Sequence, residues 1–398
     1  MTIPQGGEQA SITADAVARR SYGKLVAFLV ARTHDVAAAE DALSEAFAAA
    51  LANWPLTGCP QNPEAWLLTA ARRRMIDSMR RRRRDETASE QLKIMAEGLD
   101  SEIPDKRLAL MFVCAHPAID AGIRAPLILQ VVLGLDAKSI ASAFLASPSA
   151  MSKRLVRAKD KIRQAGIPFA IPERKELPAR LETVLDAIYA AFTEGWTDPG
   201  GTDAARRDLT EEVIFLARLV TQLLPQEPEA LGLLALMLHA EARRSARRNA
   251  EGEYVPLAEQ DPASWDSKLI AEAEALLLRA SAHASLGRYQ LEAALQSAHV
   301  HRSRTGVIEL YDALFALTGS PVVAINRALA LGSLEAMPNA SADPRLAEYQ
   351  PYWAARAELL ARSGAYAEAR QAYEIAIGLE RDPAVRRFLQ KRQAALPV

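Results

Sequence analysis

Residues 140–159 read IASAFLASPSAMSKRLVRAK, and that order of side chains describes two helices joined by a turn. Ser147 is placed to cap the second helix and Pro148 to open it, since a proline at the first helical position gives up an N–H that would have no partner anyway. Ala141 is small where the two helices must approach. Ile140, Met151 and Leu155 form the internal core, which leaves Ser149, Ser152, Lys153, Arg154 and Arg157 facing outward. A recognition helix enters the major groove N-terminus first, so these five are candidate contacts to bases and backbone. An ordinary helical hairpin with a basic second helix is the other reading; Leu145 stands at the turn, where many groove-reading motifs use Gly.

Upstream, Ala14 to about Thr33 and Val36 to about Asn53 carry apolar residues at three- and four-residue spacing, which predicts two helices on a shared core. Trp54-Pro55 and Thr57-Gly58-Cys59-Pro60 are expected to end the second. A third helix begins at Asn62-Pro63 and runs through Ala65, Trp66, Leu67, Ala70, Ile76 and Met79 into arginines. Residues 62–84 hold Arg72, Arg73, Arg74 and Arg80, Arg81, Arg82, Arg83, Arg84 against Glu64 and Asp77, a local charge of +6. Arg suits phosphate through its planar fork and permanent charge. Six phosphate contacts would give log affinity a slope of roughly −5 against log salt. A five-arginine run also reads as a solvated charge cluster, but here it extends a helix with an apolar face, so the backbone can aim the charges. Trp66 fits either the core or a stacking platform for an extruded base.

Asp85 to Pro104 holds six acidic residues and one lysine with little periodicity; it is expected to be a linker, either a solvated tether or a mimic of polyanion charge. Three helices are expected between Asp105 and about Gly166, the last starting at Pro148. Pro168, Pro172 and Pro178 then separate this part from the rest. From Leu177 onward helix follows helix with short Gly/Pro breaks. Trp353-x3-Ala357-x2-Leu360-x3-Gly364-x-Tyr366-x2-Ala369-x3-Tyr373-x2-Ala376 looks like a tetratricopeptide unit, with small residues where two helices cross and large ones between them.

The 398 residues are half hydrophobic, about a quarter charged and poor in aromatics, a composition that favours helix and exceeds one compact core. The net charge of −1 is unevenly spread: residues 1–172 carry 23 Lys+Arg against 18 Asp+Glu, and residues 173–398 carry 25 against 31. The N-terminal part is therefore the candidate for a polyanion partner. Cys59 and Cys114 stand far apart, which suits a reducing cytoplasm. No leader or 18-residue apolar stretch predicts secretion or membrane spanning. Cys114 and His116 lack two further ligands at metal spacing, Gly200-Gly201 has no phosphate-loop lysine, and no nucleophile is paired with a base. No enzyme, metal or cofactor is expected.

Three stretches taken in order are more specific than any alone: Asp35-Val36-Ala37-Ala38-Ala39-Glu40-Asp41-Ala42-Leu43-Ser44-Glu45-Ala46-Phe47, then Ala65-Trp66-Leu67-Leu68-Thr69-Ala70-Ala71-Arg72-Arg73-Arg74-Met75-Ile76-Asp77, then Arg154-Leu155-Val156-Arg157-Ala158-Lys159. Over residues 14 to about 170 the chain resembles extracytoplasmic-function sigma factors of the sigma-70 family. The remainder resembles the subgroup with a tetratricopeptide-like C-terminal extension, through Phe192-Thr193-Glu194-Gly195-Trp196 and Ser320-Pro321-Val322-Val323-Ala324-Ile325-Asn326-Arg327-Ala328 among others. The resemblance implies an all-α chain: a region 2-like domain at 12–84, the acidic linker at 85–104, a region 4-like helix-turn-helix domain at 105–170 and a helical extension at 177–398. It also implies that Asp35, Glu40, Asp41 and Glu45 dock the clamp helices of core RNA polymerase. Arg72, Arg73, Asp77 and Arg80 to Arg84 would meet the minus-ten element of promoter DNA, and Ser149, Ser152, Lys153, Arg154 and Arg157 the minus-thirty-five element. Many relatives have Asn where Arg73 stands. The extension is expected to regulate through an intramolecular or protein partner. A one-component regulator, with a helix-turn-helix and a sensing repeat domain, is the rival; it leaves the acidic helix and the first arginine cluster unexplained.

Overall fold

Local capping sets the helix starts. The Asn62 side chain accepts from the Ala65 amide at 3.0 Å, and Ser147 accepts from Ala150 at 3.3 Å, each satisfying one of the amides a helix start leaves unpaired. The computed structural model describes residues 5–82, 103–144, 146–173, 175–196, 204–283, 285–301, 303–340 and 343–397. Among them the regular elements are helical, with one isolated antiparallel bridge between Arg248 and Tyr254. The all-α expectation is therefore met. The chain divides into two compact units, Met1–Thr197 with Asp203–Leu216, and Asp198–Thr202 with Ala217–Val398.

The first unit is built on α1 (Gln5–Thr33), where Leu25, Val26, Ala27, Phe28, Leu29 and Val30 are all buried. Six successive buried residues mean that this stretch is enclosed on every side rather than along one stripe. Around it pack α2 (Val36–Thr57), α3 (Pro63–Arg82), α4 (Arg107–Cys114) and α5 (Ala121–Leu133), and the short α6 (Ala137–Ala143) leads into α7 (Pro148–Gln164). Four helices thus lie between Asp105 and Gly166 instead of the expected three. Helix α2 also runs past its expected end: Pro55 lies inside the last turn, where the missing N–H costs a single backbone bond. Residues 83–102, which hold Arg83, Arg84 and nearly all of the acidic stretch, lie outside the described residues.

The region 2-like and region 4-like stretches share one core. Helix α1 crosses α5 so closely that a Cβ at Gly23 would collide with the Val132 carbonyl, and α2 meets α7. Helix α8 (Leu177–Trp196), which the sequence places with the downstream repeats, packs on α4 and α5 through the side containing Leu181, Val184, Leu185, Ile188 and Phe192. The first part of α9 (Ala204–Leu223) is fixed to the same unit by Arg107. Its guanidinium, 6 % exposed, pairs with both Asp105 and Glu212 and lies 5.0 Å from the Phe215 ring.

In the second unit α10 (Pro228–Ala242) is buried continuously from Ala230 to Ala240. It is followed by α11 (Ser267–Ser281), α12 (Arg288–Val300), α13 (Arg304–Thr318), α14 (Pro321–Leu331), α15 (Gln350–Arg362), α16 (Tyr366–Leu379) and α17 (Pro383–Ala394). Each packs chiefly on helices one or two places away in the chain. Ala357, Leu360, Ala369, Tyr373 and Ala376 are buried together where α15 meets α16, with Trp353 against them.

Candidate nucleic-acid interface

Helix α7 buries Met151, Leu155, Ala158 and Ile162, a 4-3-4 spacing that places them on one face. Ile140 and Ala141 are buried with them, as expected. Ser149, Ser152, Lys153, Arg154 and Arg157 are all exposed. Arg154 reaches Asp120 at 3.4 Å, with side chains 42 % and 76 % exposed; such a pair holds little energy and yields readily to a phosphate. The other edge of α7 behaves differently, because Lys159 turns inward to α2 and the exposed Arg163 reaches it at the surface.

On α2 the four acidic candidates divide. Asp35 caps the helix, accepting from the Ala38 amide at 3.0 Å, and lies 3.4 Å from Arg163. Glu40 pairs with Lys159 at 2.6 Å, both side chains only 12 % exposed, and accepts from the Tyr22 hydroxyl at 3.4 Å. Burial pushes the Glu40 carboxyl above its ordinary value while the Lys159 ammonium pulls it back; burial and then Glu40 raise the Tyr22 phenol. Asp41 and Glu45 remain exposed, Glu45 beside Arg74 of α3. Two of the four expected docking acids are therefore engaged by the cationic edge of α7. The sequence pattern includes Lys159 but assigns it no role, and it does not single out Arg163, Tyr22 or Gly23.

Helix α3 turns Leu67, Leu68, Ala71 and Met75 inward, and Arg73, Arg74 and Asp77 lie exposed. Arg72 does not share that surface, being only 9 % exposed. Trp66 is partly exposed and meets Trp54 edge-on, ring centroids 5.4 Å apart, so it lies against the core with one side at the surface. The helix carries Arg80, Arg81 and Arg82 in its last turn. Cys114 is fully buried, and burial followed by the nearby Glu40 charge drives its thiol pKa upward. His116 accepts from the Ala118 amide through Nδ1 at 3.1 Å. Among the described residues no group of three His, Cys, Asp or Glu is placed to hold a metal, and no helix is long and apolar enough to cross a membrane.

Comparison with known proteins adds three findings. Residues 17–85 match sigma-70 region 2, and residues 180–281 match a family of unknown function, DUF6596. An uncharacterized protein of Rhizobium meliloti (strain 1021) is 39 % identical over 363 residues, covering 86 % of each chain. No solved structure matches. The region 2 match runs from the middle of α1 through α3, with the exposed arginines and the acids of α2; the DUF6596 match begins on α8, inside the first unit. With likeness extending across both units, the chain belongs to the same family as the Rhizobium meliloti protein and carries a sigma-70 region 2 domain at its N-terminus.

Proposed function

We propose that this protein is a cytoplasmic sigma factor of the extracytoplasmic-function type, non-enzymatic, that directs core RNA polymerase to specific promoters. Residues Asp35, Glu40, Asp41 and Glu45 meet the clamp helices. Arg73, Asp77 and the arginines that follow meet the minus-ten element; Ser149, Ser152, Lys153, Arg154 and Arg157 meet the minus-thirty-five element as the outward stripe of a helix-turn-helix. The observation that carries this reading is a region 2 match whose own fold packs against a separately capped helix with an exposed basic face. An acidic docking face suits a basic partner helix on charge alone. The tetratricopeptide-like part regulates.

A closed form follows from the ion pairs. While Lys159 holds Glu40 in a largely buried pair, a partner's cation must compete for that carboxylate, so polymerase docking through Glu40 requires α7 to release it; the exposed Arg163–Asp35 pair yields readily. Run-off transcription with purified core polymerase on genomic fragments tests the assignment. The full chain should start transcripts at discrete sites. Arg157→Ala should weaken promoter binding, and replacing Lys153 or Arg154 should shift sequence preference by about 1–3 kcal/mol for each side chain that reads a base edge. A chain that does not associate with core polymerase at low ionic strength is not a sigma factor, and the one-component regulator then becomes the better reading.

A further inference from the structure

The inward side of α7 locates its outward side. The buried residues are Met151, Leu155, Ala158 and Ile162. Two positions before each of them, about 200° round the helix, stand Ser149, Lys153, Val156 and Asp160. These four therefore form a row opposite the core. Val156 is 57 % exposed, an apolar, β-branched side chain in a row whose other members are hydrogen-bonding or charged.

A lone exposed apolar residue is ordinary on a protein surface. This one, however, occupies an exposed helix-interior position, where Ala, Arg, Lys or Glu favours the helix more than a β-branched residue does, and it faces away from the core that Leu155 and Ala158 complete. Its row ends at Asp160, whose side chain is 43 % exposed and pairs with Arg163 at 2.9 Å. A carboxylate set against phosphates is repelled, so the stretch of α7 suited to a groove runs from Ser149 to Arg157. Eight helical steps cover about 12 Å, a length that the major groove, itself about 12 Å wide, accommodates. Val156 falls inside that stretch. On the base edges the major groove offers one kind of methyl group, the 5-methyl of thymine.

We infer that Val156 sets sequence preference by packing its two γ-methyl groups on the 5-methyl of one thymine in the minus-thirty-five element, next to the contact made by Lys153. The inference rests on the promoter-binding reading of α7. Such a contact selects a T·A pair and its orientation, because adenine, guanine and cytosine carry no methyl at that edge.

The test uses the complex of the full chain with core RNA polymerase. Randomised duplexes that it retains are sequenced, and in the enriched site each thymine is replaced in turn by deoxyuridine, which lacks only the methyl. One thymine should respond, with binding weakened about three- to fivefold, the worth of one methyl group taken out of water. Val156→Ala should weaken binding to the thymine site by about the same factor and should bind the deoxyuridine site equally well; its melting temperature should not fall, since Ala is the stronger helix former. Lys153→Ala should weaken binding while keeping the deoxyuridine effect. An enriched site indifferent to deoxyuridine at every thymine, or a deoxyuridine effect that survives Val156→Ala, overturns the role of Val156 and leaves the promoter-binding reading in place. Failure to enrich any DNA overturns both.

Discussion

The two units are both helical, yet they are held together in different ways. In the first, decisive contacts join residues more than a hundred positions apart: Gly23 lies against Val132, and Glu40 pairs with Lys159. In the second, most helices pack on near neighbours in the chain, and the main exception is the connector between α10 and α11, residues 243–266, which Arg248 ties to Asp382. A structure closed by distant contacts should loosen as a whole. A neighbour-on-neighbour stack should loosen where it is struck.

The largest expected effect comes from Lys159→Ala. It leaves Glu40 mostly buried without its cation and should cost the first unit about 3–5 kcal/mol, whereas the double replacement Glu40→Gln with Lys159→Met should recover much of this. Hydrogen exchange should accelerate in α2 and α7 together, and acceleration in only one of them would break the contrast. Next comes acid. His239 is buried and its pKa is lowered to about 4, chiefly by burial, so the unfolded chain takes up a proton first. Stability from this group is complete above about pH 6.5 and declines as pH falls towards 4, by up to about 3 kcal/mol. Unfolding of the second unit followed from pH 7 to pH 4 should show that decline, and His239→Leu should reduce it.

Two glycines give the smallest and sharpest test. A Cβ at Gly232 would stand 2.6 Å from the Gln290 amide nitrogen, where α10 crosses α12. Gly23→Ala and Gly232→Ala should each cost about 1–3 kcal/mol through overpacking. Faster exchange should spread from α1 to α5 and α7 in the first case and stay within α10 to α12 in the second. Equal spread in both would mean that the units share one mode of cohesion.

Legibility in the sequence follows the same division. The Asn62 and Ser147 caps, the buried Ile140, Met151 and Leu155, and the crossing around Ala357 and Ala369 are readable because capping and helical period act within a few residues. The burial of Arg72, the Gly23 crossing and the seating of α8 on α4 and α5 are not, because nothing local encodes which distant helix will cover a face. Pro55 misleads for a related reason: a proline in the last turn removes too little to stop a helix already buried along one side. The expected docking acids read as a surface in the sequence, and the structure finds two of them paired to a helix whose local pattern points to another task.

Cys114 makes the proposed closed form timeable. Its thiol lies in the core near Glu40, whereas Cys59 is only half-buried, so a Cys59→Ser chain would carry one sulfur that an alkylating reagent meets only after the core parts. At reagent concentrations where alkylation outpaces reclosing, the labelling rate counts openings per second. Added polymerase should shorten that interval if docking depends on release of α7.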